Sequence, residues 1–122
     1  MKRMLTMIAS LAVLMPMTAT AQERMSDARY ISAARCLAYA DLPQLSDDPA
    51  NFSALRTAMS EGYRSRVVVS DAEENARRVR VTARSLGESE RGVRSLREQR
   101  TEACASFVER GFVQMGSGTP AS

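Results

Sequence analysis

The chain reads as all-α: a small four-helix up-down-up-down bundle, with one disulfide joining the first and last helices. Three observations carry this. Apolar residues recur at three- and four-residue spacing over four segments. Strand-like alternation is absent over any length; only Val67-Val68-Val69 is β-prone, and three residues do not make a strand. Cap and stop residues fall between the periodic segments, and the short connections favour antiparallel neighbours.

The first segment is read as a secretory leader. Lys2 and Arg3 form a positive start, and Met4 to Met17 is apolar and uncharged. Pro16 breaks that run, and Ala19-Thr20-Ala21 supplies the small residues a signal peptidase needs. Residues 1–21 are therefore expected to be a cleaved signal peptide, with 22–115 as the helical domain and 116–122 as a flexible tail. The apolar run is shorter than the roughly 20 residues of a spanning helix, so no integral membrane segment is expected after cleavage. A periplasmic location follows from this reading. Cleavage leaves 101 residues, with 15 Arg, no Lys and 14 acids. The full chain's charge of +3 becomes +1.

The first helix is expected over 27–40, capped by Ser26 or Asp27. Tyr30, Ala33, Ala34, Leu37 and Ala40 share its apolar face, with Cys36 at the edge and Tyr39 elsewhere. The second is expected to start at Asp48-Pro49 and reach about Val68, with Phe52, Leu55, Met59 and Tyr63 as its stripe. The third is expected to open at a capping box, Ser70-Asp71-Ala72-Glu73, and to stop at Gly87. Glu73–Arg77 and Glu74–Arg78 would be its ion pairs. The fourth runs about 89–110 behind Ser89, burying Val93, Leu96, Ala103, Cys104 and Phe107. Gly111 and Phe112 suit a Schellman ending. A single kinked helix through Gly87 is the alternative for the last two.

Two cysteines in an exported chain suggest a disulfide, and Cys36–Cys104 is the only pairing available. Redox chemistry of the Cys-x-x-Cys type is excluded because that spacing does not occur.

Composition narrows the function. The chain has no His, so the usual general base and commonest metal ligand are missing, and no Ser-His-Asp or Cys-His set exists. The leaderless chain has no Lys for Ser-Lys chemistry. No glycine-rich phosphate loop occurs. Asp41, Asp47 and Asp48 lack EF-hand spacing, and Asp47-Asp48-Pro49 reads as a helix start. No catalytic residue, metal or cofactor is expected, and the chain is not read as an enzyme. Nucleic acid is a poor partner, because the net charge is near zero and no aromatics interleave with the Arg residues.

Two constellations stand out. Arg100 lies on the apolar face of the fourth helix, where a guanidinium is costly unless paired. Antiparallel register through Cys36 and Cys104 would bring Asp41 near it, so a buried Asp41–Arg100 pair is expected, with snorkelling of Arg100 to solvent as the alternative. Arg77, Arg80 and Arg84 form a basic stripe, a candidate surface for an anionic partner. The bland reading is a solvated helix face. The layout is similar to that of small periplasmic helical proteins with one disulfide, such as acid-stress chaperones and secreted-toxin immunity proteins. No motif carries residue roles across. The expected function is non-enzymatic binding of a protein or anionic envelope component. An acid- or stress-activated chaperone is the alternative.

Overall fold

Ser26 fixes where the first helix begins. Its Oγ accepts the Arg29 N–H at 3.2 Å, and α1 runs Asp27–Ala40. The computed structural model describes residues 24–116. The expected leader and residues 117–122 lie outside them. After α1 come a 3-10 turn, Pro43–Leu45, then α2 (Ser53–Ser60), α3 (Arg66–Leu86) and α4 (Glu90–Glu109). Among the described residues there is no strand. One isolated bridge, Asn51 with Gln114, holds the end of the described chain against the start of α2 through N···O distances of 2.7 and 3.0 Å.

Helix α1 is the hub, packing against each of the other three helices. Ala33, Cys36, Leu37, Ala38 and Tyr39 are all buried. Tyr39 was expected off the apolar face; it is in the core because α1 is covered on more than one side. Its hydroxyl donates to Gln99 Oε1 of α4 at 2.9 Å. The α1–α3 interface is the most extensive. Small side chains permit it: Ala38 on α1 and Ala72 and Ala83 on α3 are buried.

The helix directions alternate. Cys36–Cys104 and Tyr39–Gln99 set α1 antiparallel to α4. Arg64 meets Asp27 at one end and Gln44 meets the Ala83 carbonyl at the other, so α3 runs with α1. The up-down-up-down bundle and its disulfide thus hold. The disulfide brings two Cα atoms 5.0 Å apart across a sequence separation of 68, and both sulfurs are in the core with Phe107 and Leu55. A second cluster joins Leu42 and Leu45, from the α1–α2 connection, to Leu96 and Val79. Each fully buried Leu or Phe contributes roughly 1.5–3 kcal/mol of transfer free energy.

Helix ends match the sequence at α1 and α4 and differ between them. Ser89 caps α4, accepting the Gly92 N–H at 3.1 Å. At its other end, Phe112 N bonds Phe107 O and Gly111 N bonds Val108 O, the two bonds of a Schellman motif, with Gly111 at φ +80°. Gly87, at φ +66°, separates α3 from α4. The Ser70 capping box does not form, however. Ser65 caps α3 instead, and Val67–Val69 are helical. Arg64, buried against α1, fixes the start of α3 one residue before that cap, and β-branched residues cost a helix only tenths of a kcal/mol each. The third helix is thus longer than expected and the second shorter. Asn51 Oδ1 accepts the Ser53 N–H at 2.9 Å and starts α2, which ends at Ser60. Gly62, at φ +80°, then turns the chain, leaving Tyr63 80% exposed rather than in the apolar stripe. Gly116, expected to open the tail, is half-buried beside Pro49.

Candidate functional site

Arg100 is buried and paired, but its partner is Asp48. Its Nη2 lies 2.7 Å from Asp48 Oδ2, and Arg97 Nε shares that oxygen at 2.8 Å. Asp41 instead binds Arg56 of α2 at 2.5 Å. The antiparallel arrangement holds, with Tyr39 reaching Gln99 two positions along α4 from the residue directly opposite it; the expected azimuth of Asp41 does not. Asp41 lies five residues beyond Cys36, about 140° round the helix, so it faces away from α4. Leu42 and Leu45 are buried and dock the connection on α4, which delivers Asp48 to Arg100. Asp47-Asp48-Pro49 is therefore not a helix start. The Arg97 hydrogen bond, followed by the Arg100 bond and both positive charges, holds the Asp48 carboxyl below its ordinary value, against an opposing contribution from burial.

A second buried guanidinium was not singled out from the sequence. Arg64 is 8% exposed, donates to Asp27 Oδ1 at 2.8 Å, and lies 4.8 Å from the Tyr30 ring centroid. Its Nε and Nη2, with Nε of Arg100, have no hydrogen-bond acceptor among the described residues. The sequence signal for Arg64 was weak, because it sits between helices in a polar stretch.

Between α2 and α3 the bundle is open. These helices form no packed interface with one another, and a groove of about 540 Å³ runs over α1 between them. Tyr30, Ala34, Leu37 and Ala38 of α1 make its floor. Arg56 and Met59 form the α2 wall, and α3 supplies Val69, Ala76, Arg80 and Arg84 among others. One end is apolar and the other carries the arginines. A second depression of about 710 Å³ lies near the start of α1, between Arg29, Arg110 and Phe112. Arg24 in its wall is already engaged by the Tyr63 carbonyl and Asp27.

The basic stripe divides. Arg77 is tied to Glu74, with Nε at 3.0 Å and Nη2 at 2.7 Å. Glu74 also meets Arg78 at 3.5 Å, so both cations share one carboxylate and the expected Glu73–Arg77 pair is replaced by Glu74–Arg77. Arg77 first, by its hydrogen bond, lowers the Glu74 carboxyl from its ordinary value. Arg80 and Arg84 face the groove and, among the described residues, make no ion pair. Among the described residues there is no cluster of three potential metal ligands, and no helix is long and apolar enough to cross a membrane. What the arrangement offers chemically is a concave surface with an apolar floor and, on one rim, two guanidinium groups without an ion-pair partner among the described residues. Comparison with protein-family models finds no matching family, and searches of curated proteins and solved structures find no significant match.

Proposed function

We propose that the chain is a non-enzymatic binding module of the periplasm, engaging a protein or anionic envelope component through the groove over α1. One observation carries this: the groove is open, apolar along its floor, and bordered by Arg80 and Arg84, which make no ion pair among the described residues. The disulfide supports an oxidising compartment. So does the leader-like composition of residues 1–21. The test is photocrosslinking from Ala76 in the oxidised protein, mixed with its native envelope extract. A discrete product that disappears in the Ala34→Arg variant is the expected result. Products unaffected by that variant, or no product, would refute the reading.

A second reading, an acid-activated chaperone, draws on the two buried arginines. Arg64 and Arg100 are each neutralised by a carboxylate, and loss of the Asp48 charge at low pH would leave buried Arg100 unpaired. Helicity, exposed apolar surface and client aggregation followed from about pH 7 to 2 test it. A bundle that stays closed across that range removes it.

A further inference from the structure

We infer that the groove takes an amphipathic α-helix of a partner protein, seated along α1 with an acidic flank against Arg80 and Arg84. This rests on the binding reading above and names the occupant. Shape is the first argument. The groove is a slot between two helices over a third, about half open to solvent, with Leu42 and Pro43 of the connection at one end. A small amphiphile would stay largely hydrated there, whereas small-ligand sites enclose most of their ligand. A helix about 10 Å across suits a slot whose walls, α2 and α3, form no packed interface with one another. The α3 wall spans Val69 to Arg84, about 22 Å or four helical turns at 1.5 Å per residue. Ala34 and Ala76 are half-buried and lie open to the groove, leaving hollows for larger apolar side chains of the occupant.

Charge selects the flank. Five charged groups besides Arg80 border or close the groove: Asp41, Arg56, Glu73, Arg84 and Glu88. Asp41 and Arg56 neutralise each other at 2.5 Å. Glu73, Arg80 and Arg84 follow one another along one side of α3, at spacings of seven and four, so the rim reads negative, positive, positive. Glu88 closes the far end, beyond Arg84. An occupant with two carboxylates four residues apart matches Arg80 and Arg84, and a third acid opposite Glu73 would oppose binding. Two concave faces do not fill each other, which disfavours groove-to-groove pairing of this chain. Exposed Glu98 and Glu102 on a second copy's α4 are four residues apart, but Thr101 and Ala105 beside them are exposed and too small to fill the groove.

The experiment uses three fluorescent synthetic 18-residue peptides with one common leucine stripe. The first carries two glutamates on one flank, the second two lysines there, and the third has the glutamates on the outer face. Anisotropy is measured against the oxidised protein purified from the periplasm of an expression host. The flank-glutamate peptide should bind about tenfold tighter than the lysine peptide and gain helical circular dichroism on binding. The double variant Arg80→Glu/Arg84→Glu should reverse that order. Ala76→Arg, with its helicity checked, should weaken both. Absence of binding by all three, equal binding, or a preference indifferent to the double variant overturns the inference. So does a light-scattering mass showing self-association that excludes the peptide. If the peptides fail while groove-dependent cross-links persist, the helix is refuted and the binding reading stands; loss of the cross-links refutes the binding reading itself.

Discussion

Replacing Asp48 by Asn isolates the ion pair that joins the α1–α2 connection to α4. The variant keeps the shape of the side chain and removes its charge. Arg100, with 6% of its side chain exposed, then loses its anionic acceptor, and its Nε already lacks a partner. Arg97 is 49% exposed and hydrates instead. Removing one member of a fully buried pair costs about 3–5 kcal/mol; Asp48 retains 21% exposure, so about 2–3 kcal/mol is expected. For a domain near this size, that corresponds to a fall of roughly 10–20 °C in Tm.

Urea unfolding at pH 7 with the disulfide intact measures the loss, and a double-mutant cycle with Arg100→Met apportions it. Arg100→Met should cost less than Asp48→Asn, because Asp48 keeps Arg97. The double variant should recover part of the Asp48→Asn loss, giving a coupling above about 1 kcal/mol. The pH dependence follows from the direction of the shift. Asp48 titrates lower in the folded chain than its ordinary 3.8, so its stabilisation is complete above that value. It is lost as pH falls through the folded pKa, where both states are protonated. The gap between wild type and Asp48→Asn should therefore narrow from about pH 4 downward. A cost below about 0.5 kcal/mol at pH 7, or additive single variants, would refute the pairing of Arg100 with Asp48 as a stabilising contact.

Three other perturbations test the fold. Reducing Cys36–Cys104 should cost about 4 kcal/mol by the chain-entropy argument, read as a fall in Tm with reductant at constant pH. Gly87→Ala should cost about 1–3 kcal/mol in equilibrium unfolding; nothing lies within 4 Å of a Cβ there, so the penalty comes from the backbone itself, φ +66° with ψ −159°, a combination essentially confined to glycine. Tyr39→Phe leaves Gln99 Oε1, which is half-buried, without its hydroxyl donor and should cost about 1 kcal/mol, with little change in helicity.

These contacts show which parts of the molecule local sequence carries. Helices α1 and α4 were legible because each has a serine cap at its start, and α4 ends in a Gly-Phe pair suited to the Schellman stop that forms. The α2–α3 stretch was not, because Ser65 and Ser70 both satisfy the local rule for a helix start. Ser65 prevails through a tertiary contact, the burial of Arg64 on Tyr30 and Asp27. The groove was illegible for the same reason. It depends on which side of α1 receives α2, and periodicity within α2 does not specify that.

The Asp41 assignment fails differently, because the sequence held the information to avoid it. Register and azimuth are independent coordinates of a helix pair. Cys36–Cys104 fixes the register, and Tyr39, opposite Thr101 in it, reaches two positions along α4 to Gln99. Azimuth follows from 100° per residue: Tyr39 lies about 60° from Cys36 and can reach α4, whereas Asp41 lies about 140° away and cannot. With Asp41 excluded by angle, the partner of Arg100 had to come from a connection held against α4. Leu42 and Leu45, two leucines in a short link between helices, are the signal that this link is docked rather than solvated. Asp48 follows three residues later, and its carboxylate completes the site.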